Sequence, residues 1–332
     1  MKKIAYFLIV LAASCCLLLH VKQPNPQPQP QPVPILPVPP APPPPVPGSQ
    51  VEWINFPKQQ DRSGGSPFLT DIVSHLPKSM GNQYFSNDRV TWGHETTHGI
   101  NSHIRNTFAK NHRVGFYVGQ DKAAVMSQPK LTLRQIGATV PNNLRGNRHQ
   151  LYFINQAGDW NDTPLYCFDE WVAYTNGAAV GLETPERTQN EQTVLANSDV
   201  MVGTLEFSVY AICACVAIDK YDPNYLSTNT QFKEFVAHEL RRSVAIYRKG
   251  ILMPQYQWET SLARNVRQNQ ECVAILKKMY GDALTMETLF DGQNFQNNLH
   301  EGFKPLFDSG PSRWRADGFT LRNNGLGHRQ RD

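Results

Sequence analysis

The sequence predicts an α+β fold with a small β portion and a mostly helical C-terminal half. Three observations lead there. Strand-like runs are confined to the middle of the chain, at Val114–Val118 and Gln150–Ile154. From Glu191 onward, helical patterns dominate. The 332 residues are 40% apolar and 18% charged, which excludes a chain disordered throughout.

The first 50 residues stand apart. Lys2 and Lys3 precede an uncharged run, Ile4 to Leu19, the pattern of a secretory signal. Its 16 residues are long for a signal core and slightly short for a spanning helix. Leu11-Ala12-Ala13-Ser14-Cys15 resembles a bacterial lipoprotein cleavage site, although apolar residues continue after the cysteine. Lipid anchor, uncleaved membrane anchor and plain signal all remain open over residues 1–22, and each delivers the protein outside the cytoplasm. Residues 23–50 form a linker: 14 of the 25 prolines fall between Pro24 and Pro47. Such a segment prefers polyproline II and would space the domain roughly 75 Å from its anchor.

The remainder, 51–332, is read as one catalytic unit. An α+β lobe (51–185) carries the active-site helix, and a mainly helical lobe follows (186–332). Lys2, Lys3 and Lys22 are the only charges in the first 50 residues, so the rest holds 29 basic against 28 acidic residues. That balance excludes the electrostatic footprint of a nucleic-acid binder.

Each element has a local justification. Ser86 to about Phe108 reads as a helix capped by Ser86 or Asn87, with Asp88 in its first turn. A short helical stretch near Leu133–Val140 separates the two strand-like runs. Thr163-Pro164 is expected to open a helix ending near Gly177 or Gly181, with the threonine as cap and the proline at the first helical position. Further helices are expected at Glu191–Ile218, Gln231–Tyr247, Glu259–Tyr280 and Thr285–Phe290. The apolar stretch Leu205–Ile218 suits a buried core helix rather than a membrane span. The tail after Phe307 reads as irregular.

The chemistry sits in His94-Glu95-Thr96-Thr97-His98. Histidines four apart on a helix lie about 40° apart on one face, so both imidazoles can reach one ion. Glu95 beside them can accept a proton from a water on that ion. No charge other than Glu95 occurs from Thr91 to Ile100. These flanks resemble those of zinc metallopeptidases of the zincin clan. The resemblance implies a zincin-like domain, a bound Zn2+ and hydrolysis of a protein or peptide substrate.

A catalytic zinc needs a third protein ligand. In the metzincin branch it is a histidine after a helix-breaking glycine. Here Gly99 follows at once and His103 comes nine after His94, about 180° away on an unbroken helix. The segment Leu165–Tyr174 offers Glu170, and Asp169 beside it. Glu170 followed by Ala173 resembles the glutamate helix of gluzincins related to the anthrax-toxin protease. Glu170 is therefore the preferred third ligand, with His103 and Asp169 as alternatives. Tyr166 and Tyr174, four residues either side of Glu170, are candidate oxyanion donors. Asn101 and Ser102 are candidates for groups supporting the site. His238-Glu239-Leu240-Arg241-Arg242 lacks a second histidine and reads as a solvated face. Cys167, Cys213, Cys215 and Cys272 match no metal or redox spacing; a disulfide from Cys213 or Cys215 to Cys272 and buried free thiols are both open.

The reading is an exported, membrane-tethered zinc endopeptidase. Its rivals are a non-catalytic surface protein that retains the fold and a zinc amidase acting on cell-wall material.

Overall fold

The computed structural model describes residues 53–108, 113–183, 191–251 and 261–290, without the side chains of 191–198 and 251. The expected signal or anchor, the proline linker and the irregular tail lie outside these residues. What is described is α+β: a small antiparallel sheet and a majority of helix.

Three strands, β1 (Trp53–Asn55), β2 (Arg113–Gly119) and β3 (Lys122–Ser127), pair antiparallel in the order β1-β3-β2. β2 and β3 form a hairpin with Val114 opposite Met126 and Phe116 opposite Ala124. At its turn Gln120 and Asp121 both take positive φ, 54° and 59°, the conformation that matches strand twist but disfavours most side chains. Hydrogen bonds compensate. The Gln120 amide donates to Asp71 Oδ2 at 3.0 Å, and Asp121 Oδ1 lies 2.7 Å from His75 Nε2. Both partners sit on α1 (Pro67–His75), so the turn is pinned to that helix.

Helix α2 (Arg89–Thr107) carries the two motif histidines. Its cap is Asp88 rather than Ser86 or Asn87. The Asp88 carboxylate accepts from the Val90 and Thr91 amides at 3.2 and 3.0 Å, satisfying donors that a helix start leaves free. A short helix α3 (Leu133–Thr139) opens with a reciprocal Thr132–Gln135 capping box.

The expected strand Gln150–Ile154 is corrected. These residues belong to a π-helical turn, Gln150–Asn155, between the short turns Asn147–His149 and Ala157–Trp160. A brief apolar run does not distinguish strand from helix. Nor is the β2 edge free at Tyr117: its amide donates to Asn101 Oδ1 at 2.7 Å, and its carbonyl accepts from Asn176 Nδ2 at 3.1 Å.

Helix α4 (Tyr166–Glu183) is the axis of the fold, buried along nearly its whole length. It begins two residues beyond Pro164, because Thr163 forms a turn whose carbonyl accepts from the Tyr166 amide at 2.8 Å. It also runs through Gly177 and Gly181 to Glu183. Gly177 is there for close approach. A β-carbon at that position would sit 3.3 Å from His94 Cβ and 3.3 Å from the Val90 carbonyl oxygen. The glycine lets α4 lie directly on α2.

The other face of α4 packs on α5 (Glu191–Tyr221), where buried Trp171 donates its Nε1–H to Ser208 Oγ at 3.2 Å. The expected apolar stretch lies within α5. Asp199–Tyr221 has a mean hydropathy high enough for a span, but most of its side chains are inside the protein. Then follow α6 (Pro223–Thr228), α7 (Thr230–Ile251), α8 (Ser261–Gln268), α9 (Gln270–Tyr280) and α10 (Met286–Phe290). The single helix expected over Glu259–Tyr280 is two, broken where Asn269 caps α9 by accepting from the Cys272 amide.

The solvated face expected at His238–Arg242 is also corrected. Glu239 and Arg242 are both buried and paired, at 3.0 Å, with Arg242 also reaching Asn176 Oδ1. Only Arg241 of the two arginines faces solvent. The four cysteines are buried free thiols, with Cys213 and Cys272 sulfurs 3.9 Å apart.

Candidate metal centre

The α2–α4 contact brings His94, His98 and Glu170 together. Their ligand atoms form a small triangle: His94 Nε2 to His98 Nε2 is 3.1 Å, His98 Nε2 to Glu170 Oε2 is 3.5 Å, and His94 Nε2 to Glu170 Oε2 is 3.9 Å. A point equidistant from those three atoms lies about 2 Å from each, the length of zinc bonds to imidazole nitrogen and carboxylate oxygen. Among the described residues this is the one cluster of histidine, cysteine and acidic side chains able to hold a metal ion.

Burial makes the triangle demanding. Glu170 is only 4% exposed, and its Oε2 makes no hydrogen bond of normal geometry, with His98 Nε2 3.5 Å away. A buried carboxylate oxygen so placed is costly unless a cation faces it, which protonated His98 supplies without metal and a metal ion would supply in its place. Its other oxygen is held: Tyr166 donates its hydroxyl to Glu170 Oε1 at 2.7 Å. A phenol has one proton, so the 3.2 Å contact between Tyr166 and Gln156 Oε1 works only with the Gln156 amide turned to donate.

His98 is oriented by Asp169, whose Oδ2 lies 2.7 Å from Nδ1. The proton on Nδ1 goes to that carboxylate, leaving Nε2 to face Glu170 and His94. Asp169 is itself fixed by Asn101, which donates to Oδ1 at 2.6 Å. Burial alone would lower the His98 pKa, but the nearby Glu170 and Asp169 outweigh it and hold it well above the ordinary 6.5, so without metal both ring nitrogens carry protons and a bound cation would displace the one on Nε2. His94 moves the opposite way. Burial first, then His98 and Arg148, keep its pKa well below 6.5, so its ring is neutral and fit to ligate. Its Nδ1 has no hydrogen bond of normal geometry, and the Ala173 carbonyl is the backbone group acting on it.

Glu95 is half-buried and makes no hydrogen bond to any described residue. Its pKa is raised, by burial first and by Glu170 and Asp169 next, with His98 opposing. A carboxylate so placed is more basic than usual and free to engage a ligand. Tyr84, packed over Gly99, lies in the electrostatic field of Glu95, His98 and Asp169.

The other expected residues fall as follows. His103 is outside the cluster, packed 6.0 Å from the Phe56 ring, because an unbroken α2 carries it to the opposite side. Asp169 contacts His98 rather than the triangle's centre. Tyr166 serves Glu170. Tyr174 stacks its ring edge-on against His94, at 4.6 Å, and shares a 3.3 Å hydroxyl contact with Tyr152. Burial and Glu170 push the Tyr152 and Tyr166 hydroxyls far up, so both remain protonated. Ser102 accepts from Arg105 and does not face the cluster's supporting groups.

Tyr152 and Arg148 escape sequence reasoning. Tyr152 sits in the run taken for a strand. Arg148 lies over the Tyr174 ring at 4.8 Å and pairs with Glu206 and Asp199 at 3.2 and 2.5 Å, buttressing the His94 side. Neither spacing nor composition signals them.

Comparison with family models, with curated proteins and with solved structures gave no match to this chain.

Proposed function

We propose that this chain is a zinc-dependent endopeptidase with a zincin-like domain, in which His94, His98 and Glu170 hold the metal and Glu95 is the general base. The observation that carries the reading is the convergence of three ligand atoms 3.1 to 3.9 Å apart, one of them a buried carboxylate oxygen with no hydrogen bond of normal geometry. The donor set of two imidazoles and one carboxylate suits zinc with an open coordination position.

Zinc bound there would supply a Lewis acid and lower the pKa of a coordinated water to about 7. The protein's own groups do the rest. Glu95 takes a proton from the attacking water on its carboxylate and passes it to the leaving nitrogen of the peptide bond. Asp169 accepts the Nδ1 proton of His98 and so aims Nε2 at the metal position, where a bound ion would replace the Nε2 proton. Tyr166 orients Glu170, a role that replaces the oxyanion donor first considered for it. Tyr174, whose ring lies against His94 and whose protonated hydroxyl contacts Tyr152, is the better candidate to steady a developing oxyanion.

The sequence adds the setting. Lys2, Lys3 and the uncharged run to Leu19 support export, with the proline segment as a tether.

The test is hydrolysis of a peptide library by the full chain and by Glu95→Gln. Wild type is expected to cleave and to stop on chelation, while the variant binds zinc and does not cleave. Equal cleavage by the variant would remove Glu95 from the mechanism.

A further inference from the structure

Tyr166 and Asp169, which hold Glu170 and His98, also line a cavity of about 160 Å3. A cavity near 150 Å3 accommodates a benzene-sized group, so this one takes a single side chain. It opens beside the outer strand β2, whose Val114 and Phe116 form one wall with Leu165. Trp160 and Tyr166, stacked at 4.3 Å with their planes 6° apart, form another.

The polar groups at this cavity are one-sided. Arg105 lines it, and among the described residues its guanidinium makes one hydrogen bond, to Ser102 Oγ at 3.2 Å, and no ion pair. Gln128 lines it too. Its Oε1 is used by the Leu165 amide at 3.0 Å, while its Nε2 is buried with no acceptor in the described residues. The one acidic lining residue, Asp169, has both oxygens engaged, by His98 and Asn101. The cavity is largely apolar and carries one cationic donor group, the Arg105 guanidinium, while the Gln128 Nε2 is sealed from its space and the Asp169 carboxylate is already satisfied. A guanidinium on the lining of an otherwise apolar enclosure matches a carboxylate on a short apolar stem.

We infer that this cavity is a specificity subsite for a carboxylate of the substrate, with Arg105 as the residue that selects it. The carboxylate is that of a glutamate side chain, as an endopeptidase requires, or of a peptide C-terminus, which would make the same centre a carboxypeptidase. The placement beside the metal ligands gives the substrate preference and rests on the peptidase reading; carboxylate binding does not.

The experiment separates the two. The full chain, with metal chelated, is titrated by NMR with N-acetylglutamate α-amide, with N-acetyl-leucine bearing a free carboxyl, and with N-acetylglutamine amide. The inference expects one acid to bind at least about tenfold tighter than the neutral amide. The first acid identifies a side-chain carboxylate and the second a C-terminus. Arg105→Gln is expected to erase that preference, and Arg105→Lys to retain part of it, with both variants melting close to wild type. Acids that bind no better than the amide, or a preference that survives Arg105→Gln, would overturn the subsite. A chain that shows Arg105-dependent acid binding yet cleaves no peptide would sustain the subsite and refute the peptidase.

Discussion

Asp169 Oδ2 and His98 Nδ1 lie 2.7 Å apart, and this contact fixes which nitrogen of His98 faces His94 and Glu170. Asp169→Asn would keep the shape but present an amide that can orient either tautomer. Metal affinity is expected to fall about 10- to 100-fold, read by competition with a chelator. Unchanged affinity would mean that the contact does not orient the ring.

Tyr166→Phe removes the one donor to Glu170 Oε1. The variant should lose about 1–3 kcal/mol of stability without metal, because a buried carboxylate oxygen is left unpaired. Metal affinity should weaken with it. Thermal melts with and without zinc check both, and a larger loss of activity than of metal would instead place the hydroxyl on the substrate.

Gly177→Leu tests the α2–α4 contact from a position that carries no chemistry. The new side chain would meet His94 Cβ and the Val90 carbonyl, each already 3.3 Å from a β-carbon placed there. Overpacking of this kind costs about 1–3 kcal/mol, and metal affinity should drop as Glu170 is moved away from His94. Full metal affinity in a destabilised variant would show that the site tolerates a looser contact.

His238 sets an acid limit on stability. Burial, and then Arg242, Lys122 and Arg241, lower its pKa to about 4. The unfolded chain, with an ordinary value of about 6.5, binds more protons between those two points. The contribution is therefore complete above pH 6.5 and is lost as pH falls through about 4, an upper figure of about 3 kcal/mol. His238→Asn should flatten this part of the stability–pH curve relative to wild type in chemical denaturation. Parallel curves for the two proteins would contradict the assignment.

The sequence made some of this readable and hid the rest for physical reasons. His94 and His98 are visible because a four-residue spacing has one geometric meaning on a helix. Glu170 is visible because an acid amid Phe168, Trp171 and Val172 must be buried. Strand β3 is not, since Ala123-Ala124-Val125-Met126 is buried on both faces and loses the alternation that marks a half-exposed strand. Tyr152 is hidden because Leu151–Ile154 is too short for its period to be read. Gly177 looks like a helix end, yet its role is spacing between helices, which only the packed partner reveals. Arg242 looks solvated for the same reason: its partners, Glu239 and Asn176, come together only in the fold.

The central claim is that His94, His98 and Glu170 bind one zinc ion. Elemental analysis of the purified full chain tests it most directly, alongside His98→Ala, Glu170→Ala and His103→Ala. The account predicts about one zinc per chain in wild type and His103→Ala, and loss of metal in the other two. A metal-free wild type with full activity, or zinc retained without Glu170, would contradict it.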